Sequence, residues 1–255
     1  MMGSSHAISG AAAWVAVTAT AVPALGLYPL APSAVLLGAL VAAGAALLPD
    51  ADHHNATIAH SVPVLGKVAA GAVETLSGGH RHGMHSLLAL VGVITATIGL
   101  SFVQWTPQGW DHPLQFGSAA AVAACTAFAV KVLTLVKSWS TAWLVGALAA
   151  AAVLASGPHA VSWLPVCIGV GFVAHLIGDV LTVEGVPILW PLRWRAPRFV
   201  RGLPIVSQVW KANGSFAIPI LGHAGSKREW LLTLPLACYA LWGLGASALV
   251  VYGPI

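Results

Sequence analysis

Three short stretches set acids and imidazoles into an otherwise apolar chain: Asp50 and Asp52 in LLPDADHHN, His80, Arg81 and His85 in GHRHGMHS, and His175 with Asp179 in VAHLIGDVLT. Carboxylate and imidazole are ligands for Zn²⁺, and Mn²⁺ or Fe²⁺ accept them as well. His175 and Asp179 are four residues apart, so a helix carries both on one face, one turn apart. Pro49 ends a helix before the acidic pair, which leaves Asp50 and Asp52 two residues apart in a turn or extended segment, with His53 directly behind them. Divalent ions held by such groups lower the pKa of bound water towards neutrality and provide a hydroxide nucleophile. Carboxylates beside them orient that water and take its proton. The expected catalytic set is Asp52, His85 and Arg81, with Arg81, Arg193 and Arg195 the cations available to a substrate phosphate. Arg193 and Arg195 equally suit lipid headgroups.

The elements that must carry these groups are membrane helices. Of 255 residues, 58% are hydrophobic and 7% charged, against about a quarter charged in a soluble domain. Apolar runs near the ~20 residues that cross a bilayer fall at Ile8–Leu27, Ser33–Leu48, Ser86–Trp105, Phe116–Val136, Thr141–Ala155, Val161–Val183 and Trp230–Tyr252, the second and fifth being short. The first has no basic flank and no cleavage site, so it reads as a span and not a signal peptide. Arg193, Arg195, Arg198, Arg201, Lys211, Lys227 and Arg228 lie between spans six and seven, Lys67 and Arg81 between spans two and three, and Lys137 after span four. The alternate connections lack Lys and Arg. This asymmetry predicts an all-α polytopic bundle of about seven spans with its N-terminus inside. A single domain, 1–255, is expected, its site elements within 6–195 and a last span at 230–252. Cys125, Cys167 and Cys238 read as packing residues. The net charge of +4 follows from the basic loops and suits anionic lipid, not nucleic acid.

The same orientation puts Asp50, Asp52, His53, His80, His85, His175 and Asp179 at one depth, at the cytoplasmic ends of their spans. Ionisable groups next to hydrocarbon are costly, and a shared divalent ion, or two ions bridged by Asp50 or Asp52, relieves that cost. Taken singly, His175 and Asp179 also fit a local hydrogen-bonded pair, the acidic pair a solvated helix end, and His80 to His82 a headgroup contact. Only the shared depth joins them. Residues Pro63–Leu76 have near-helical apolar spacing, as an interfacial helix or a packed one would.

LLPDADH, GHRHGMHSLLA and HLIGDVLTVEGVPILWPLRWR, in that order, resemble the YdjM-like family of inner-membrane metal-dependent hydrolases, and SSHAISG matches that family's early histidine. The resemblance covers His6 to about Arg195. It implies metal ligands His6, Asp50, Asp52, His80, His85, His175 and Asp179, with His53 an additional member; His6 enters on the resemblance alone. Met84 stands where the family has Thr, which removes a hydroxyl beside the site. The family is also distantly similar to zinc-dependent phospholipase C and the single-strand nucleases, which implies phosphoester hydrolysis.

The function these readings lead to is a hydrolase of the bacterial-type cytoplasmic membrane. More than one metal ion, Zn²⁺ first among them, would act at the cytoplasmic face on a phosphoester or lipid-linked phosphate. A lateral opening between spans three and six would admit the lipid headgroup. A metal or proton transporter would use the same ligands but needs a polar path across the bilayer. A lipid-binding scaffold would explain the arginines and not the buried acids.

Overall fold

In the computed structural model, all residues are described except 54–55, 63–67, 69–70, 72–73, 76–81, 158–160 and 254–255. Among the described residues the chain is helical, with isolated β-bridges and no strand. The helices are α1 (Gly3–Thr18), α2 (Pro32–Ala45), α3 (Leu87–Ser101), α4 (Phe116–Val132), α5 (Trp139–Ala155), α6 (Leu164–Val180), the short α7 (Pro204–Val209) and α8 (Lys227–Tyr252). The seven long ones among the described residues overlap the seven expected apolar segments with shifted ends. Two stretches, Pro32–Asp52 and Lys227–Tyr252, are long and apolar enough to cross a membrane; α3 to α6 are shorter apolar helices.

Local chemistry sets where each helix begins and ends. The hydroxyls of Ser86 and Ser138 accept from the amides of Ala89 and Thr141 and cap α3 and α5. Prolines occupy the first turns of α2, α6 and α7, where no amide partner is lost. The first expected span, Ile8–Leu27, is too long: α1 stops at Thr18, and the chain folds back so that the amides of Leu25, Tyr28 and Leu30 bond to the carbonyls of Ala16, Val17 and Thr18. Pro23 contributes no amide there, and Gly26 takes φ +63°. After α2, Pro49–Asp52 form a 3₁₀ turn, not an extended segment. A second 3₁₀ turn, Gly83–His85, leads into α3.

The bundle closes around α2, which packs on α1, α4, α6 and α8. Its sequence, PSAVLLGALVAAGA, offers little but methyl groups and backbone on its faces, so neighbours approach closely. A Cβ at Gly44 would lie 1.9 Å from the Cys125 carbonyl oxygen, and one at Gly171 of α6 2.3 Å from that of Ala42. The core between these helices is apolar, with Trp14, Val41, Val122, Cys167 and Phe172 fully or almost fully buried. Cys125 and Cys167 are free and buried, and Cys238 is free and exposed. The expected interfacial helix at Pro63–Leu76 lies largely outside the described residues.

Candidate metal centre

Four elements converge at one end of the bundle: the start of α1 (His6), the turn after α2 (Asp50, Asp52), the turn before α3 (His85) and the last turns of α6 (His175, Asp179). His6, Asp52, His85, His175 and Asp179 are buried to within 1% of complete, and Asp50 keeps a quarter of its surface. The four-residue spacing on α6 acts as expected, bringing the His175 Nε2 to 3.6 Å from the Asp179 Oδ2.

Hydrogen bonds orient the imidazoles. His175 Nδ1 lies 2.7 Å from the Ala46 carbonyl oxygen; a carbonyl only accepts, so Nδ1 donates there and Nε2 is the nitrogen turned towards the other groups. The His85 Nδ1 faces the Asp52 Oδ2 at 3.7 Å, an electrostatic contact longer than a hydrogen bond. The two Nε2 atoms come within 3.3 Å of each other. Around them stand the Asp50 Oδ1, 3.6 Å from His85 and 3.9 Å from His175, and the Asp179 Oδ2, 3.6 Å from His85. Two imidazole lone pairs and two carboxylates aimed at one point repel each other unless a cation sits between them. Burial would lower the His85 pKa, but the Asp50 and Asp52 carboxylates beside it outweigh that and raise the value to about 9.

His6 completes a second grouping. Its Nε2 lies 3.2 Å from the Asp179 Oδ1, and its ring stacks on His175 at 3.6 Å between centroids. The His6 Nδ1 is buried without a hydrogen-bond partner. The sets His6–His175–Asp179 and Asp50–His85–His175 each bring their donor atoms within 4.8 Å of one another, close enough to hold a metal ion. Because Ala46 occupies one nitrogen of His175, that residue has one lone pair to give. His175 belongs to both sets, and the carboxylate that reaches both is Asp179, one oxygen towards His6 and the N-terminal ammonium of Met1 and the other towards His85 and His175. The helical face of α6 thus puts the Asp179 carboxylate between the two groups, as Asp50 stands between His85 and His175.

The remaining expected residues divide. Asp52 stands behind His85 and orients it. His53 lies outside both donor sets and lines a cleft of about 370 Å³ together with Asp50, Thr57, Ile58 and Val132, through which the cluster meets solvent. His80 and Arg81 lie outside the described residues. Arg193 and Arg195 are exposed on the loop after α6 and line neither this cleft nor the cluster.

Sequence reasoning missed Glu229. It is buried at the start of α8 and accepts from the amides of Met2 and Gly225, both at 2.8 Å. It thereby pins the start of α1, four residues before His6. An acid among only seven, at the head of an apolar helix, was the available signal.

The profile of the YdjM inner membrane protein family matches residues 1–250. The Inner membrane protein YdjM of Escherichia coli (strain K12) is 24% identical over 216 residues, 84% of this chain and 66% of that protein, and the protein of the same name from Shigella flexneri gives the same figures. The chain thus spans just under two thirds of the length of these relatives. No solved structure matches.

Proposed function

The chain belongs to the YdjM inner membrane protein family, and on that premise we propose that it is a membrane-embedded, metal-dependent hydrolase acting on a phosphoester. One observation carries the reading: two buried imidazoles, His175 oriented by the Ala46 carbonyl and His85 facing Asp52, bring their Nε2 atoms together at the point where Asp50 and Asp179 converge. Zn²⁺ suits this donor set best, and Mn²⁺ or Fe²⁺ would also be accepted. His175, His85, Asp179 and Asp50 would hold one ion, and His6 with Asp179 would add a second. Bound metal supplies Lewis acidity and a water acidified to near-neutral pKa.

The chain's own groups have separate tasks. Asp50, alone in the cluster in facing the cleft, accepts the proton of the attacking water. Asp52 keeps His85 in one tautomer and one orientation. Burial of the other donors excludes bulk water and strengthens every charge interaction inside. The cleft, polar at Asp50, His53 and Thr57 and apolar at Leu47, Ile58 and Val132, suits a substrate with a charged head and a hydrocarbon part. In this reading the cluster faces the cytoplasm, as the Lys and Arg distribution predicts. A transporter would need ionisable groups through the bundle, whereas its core between the two ends is Trp, Val, Ala, Ile and Cys.

The test is purification in detergent, metal analysis, and hydrolysis of a phosphodiester lipid in nanodiscs with and without chelator. Stoichiometric metal and chelator-sensitive phosphate-ester cleavage are expected. Cleavage that persists in the metal-free protein would end the proposal.

A further inference from the structure

From Gly185 to Arg228 the chain carries Arg193, Arg195, Arg198, Arg201, Lys211, Lys227 and Arg228 and no Asp or Glu. Arg193, Arg195 and Arg198 are exposed, and among the described residues none of the three has an ion-pair partner. The same stretch is apolar at its surface. Leu192, Trp194, Phe199, Leu203, Ile205 and Val209 are all exposed, Phe199 by 85% and Ile205 by 76%. Helix α7 buries no residue, and its Ile205 and Val209, four apart, share one face. Large apolar side chains turned out of a folded loop are unfavourable in water. Beside uncompensated arginines, they match a surface that is apolar and anionic at once.

The loop holds these groups in a fixed arrangement. The amides of Val200 and Arg201 bond to the Pro197 carbonyl, and the Arg201 guanidinium donates to the Ala196 carbonyl, which closes a turn around Phe199. Trp210 ties this part to the rest: its indole donates to the Trp194 carbonyl, and its ring meets Trp194 edge-on at 5.2 Å and stacks on Phe216 at 5.4 Å. Antiparallel bridges join Phe216 to Val186 and to Trp210. Attachment to the bundle sets the loop's depth. The Ile218 and Leu221 amides bond to the carbonyls of Val180 and Leu181, where α6 ends. On the other side α8 begins at Lys227, with Trp230 and Leu231 already exposed. Both anchor points lie where apolar helix surface gives way to basic loop, which is headgroup level for a membrane helix. That level favours the leaflet over a soluble protein partner.

We infer that the loop 190–222 docks on an anionic membrane leaflet at the cluster's end of the bundle, with Phe199 and Ile205 in the boundary between headgroups and acyl chains and Arg193, Arg195 and Arg198 on lipid phosphates. Guanidinium pairs bidentately with phosphate oxygens, and anionic lipid attracts basic segments next to a membrane span. Arg193 and Arg195 then serve the bilayer and not a substrate phosphate. No group of the metal cluster takes part, so the docking holds whatever reaction the cluster supports.

The probe is a nitroxide attached singly at Phe199→Cys, at Ile205→Cys and, as a reference on the other side of α7, at Ser207→Cys, each variant leaving the remaining anchor intact. The chain carries Cys238→Ser throughout, which removes the exposed native thiol; Cys125 and Cys167 are buried. Power-saturation EPR in nanodiscs compares collisions with oxygen, which concentrates among acyl chains, and with a water-soluble nickel chelate. In discs of mixed phosphatidylglycerol and phosphatidylcholine, positions 199 and 205 are expected to favour oxygen and position 207 the chelate. Discs of phosphatidylcholine alone, or Arg195→Glu with Arg198→Glu, should return 199 and 205 to chelate exposure. Both arginines are exposed, so this charge reversal asks little of the fold. Chelate exposure of 199 and 205 in the anionic discs would overturn the inference and leave the face to a soluble partner. An oxygen preference untouched by lipid charge and by the reversal would overturn it too, since apolar burial alone would then suffice. Spin–spin broadening at 199 or 205 that vanishes on dilution with unlabelled protein would give the face to a second copy, with the same consequence.

Discussion

Both ends of this bundle bury polar side chains, and they do so in opposite ways. At the end away from the cluster, Thr97, Ser101, Gln115, Ser118 and Ser162 line a cavity of about 220 Å³. The hydroxyls of Thr97 and Ser101 donate to carbonyls of their own helix, those of Val93 and Ile98. A hydroxyl satisfied three or four residues away needs no tertiary partner. At the other end the side chains are imidazoles and carboxylates drawn from four separate elements, and the contact between His85 and His175 crosses 90 residues of sequence. Such groups tolerate burial only together and with a cation. The first end is indifferent to its neighbours, whereas the second exists only as an assembly.

That contrast is most exposed to Asp179→Ala. Losing the carboxylate that touches both donor sets should reduce bound metal to background and destabilise the fold by about 3–5 kcal/mol, read by metal analysis and thermal unfolding in detergent. Retention of a full metal complement would erase the distinction between the ends. Asp52→Asn, one step back from the donors, should leave occupancy at saturating metal intact while weakening affinity about 10- to 100-fold in chelator competition.

Proton competition sharpens the comparison further. His85 holds a proton below about 9 in the metal-free protein, and a ligand must release it. Metal affinity should therefore rise as pH rises, by up to about tenfold per unit for one displaced proton, and level off near 9. Pre-steady titrations at pH 6, 7 and 8 with a competing chelator measure that slope; a flat profile would show that His85 is not displaced.

Smaller effects come from residues that only support the assembly. Glu229→Ala strips the acceptor from the Met2 and Gly225 amides, at a cost of about 1–3 kcal/mol, and should lower metal affinity modestly by freeing the start of α1. Thr97→Val, at the self-satisfied end, should cost about 1 kcal/mol or less and leave metal binding unchanged. A metal effect from Thr97→Val as large as that of Asp52→Asn would mean the two ends are coupled after all.

Much of this was legible in the chain itself. Seven apolar segments, the proline and serine caps, and the His175–Asp179 pair all follow from local patterns, because helix periodicity and capping depend on neighbours within four residues. The early turn after Thr18 was legible too, in Pro23 and Gly26, but hydropathy outweighed it in the reading of the first span, since Ala, Val and Leu continue to Leu27.

The division of labour within the cluster was not. Residue types determined that a cation site could form, and spacing determined that α6 would offer one face to it. Which carboxylate faces which histidine, and that Glu229 secures the start of α1, depend on which backbone meets which. Those meetings depend on α2 offering glycine and alanine to its neighbours, so that helices close to near backbone contact and bring donors from distant stretches within a few ångströms. No local pattern encodes that distance, because it is a property of two packed surfaces and not of either one alone.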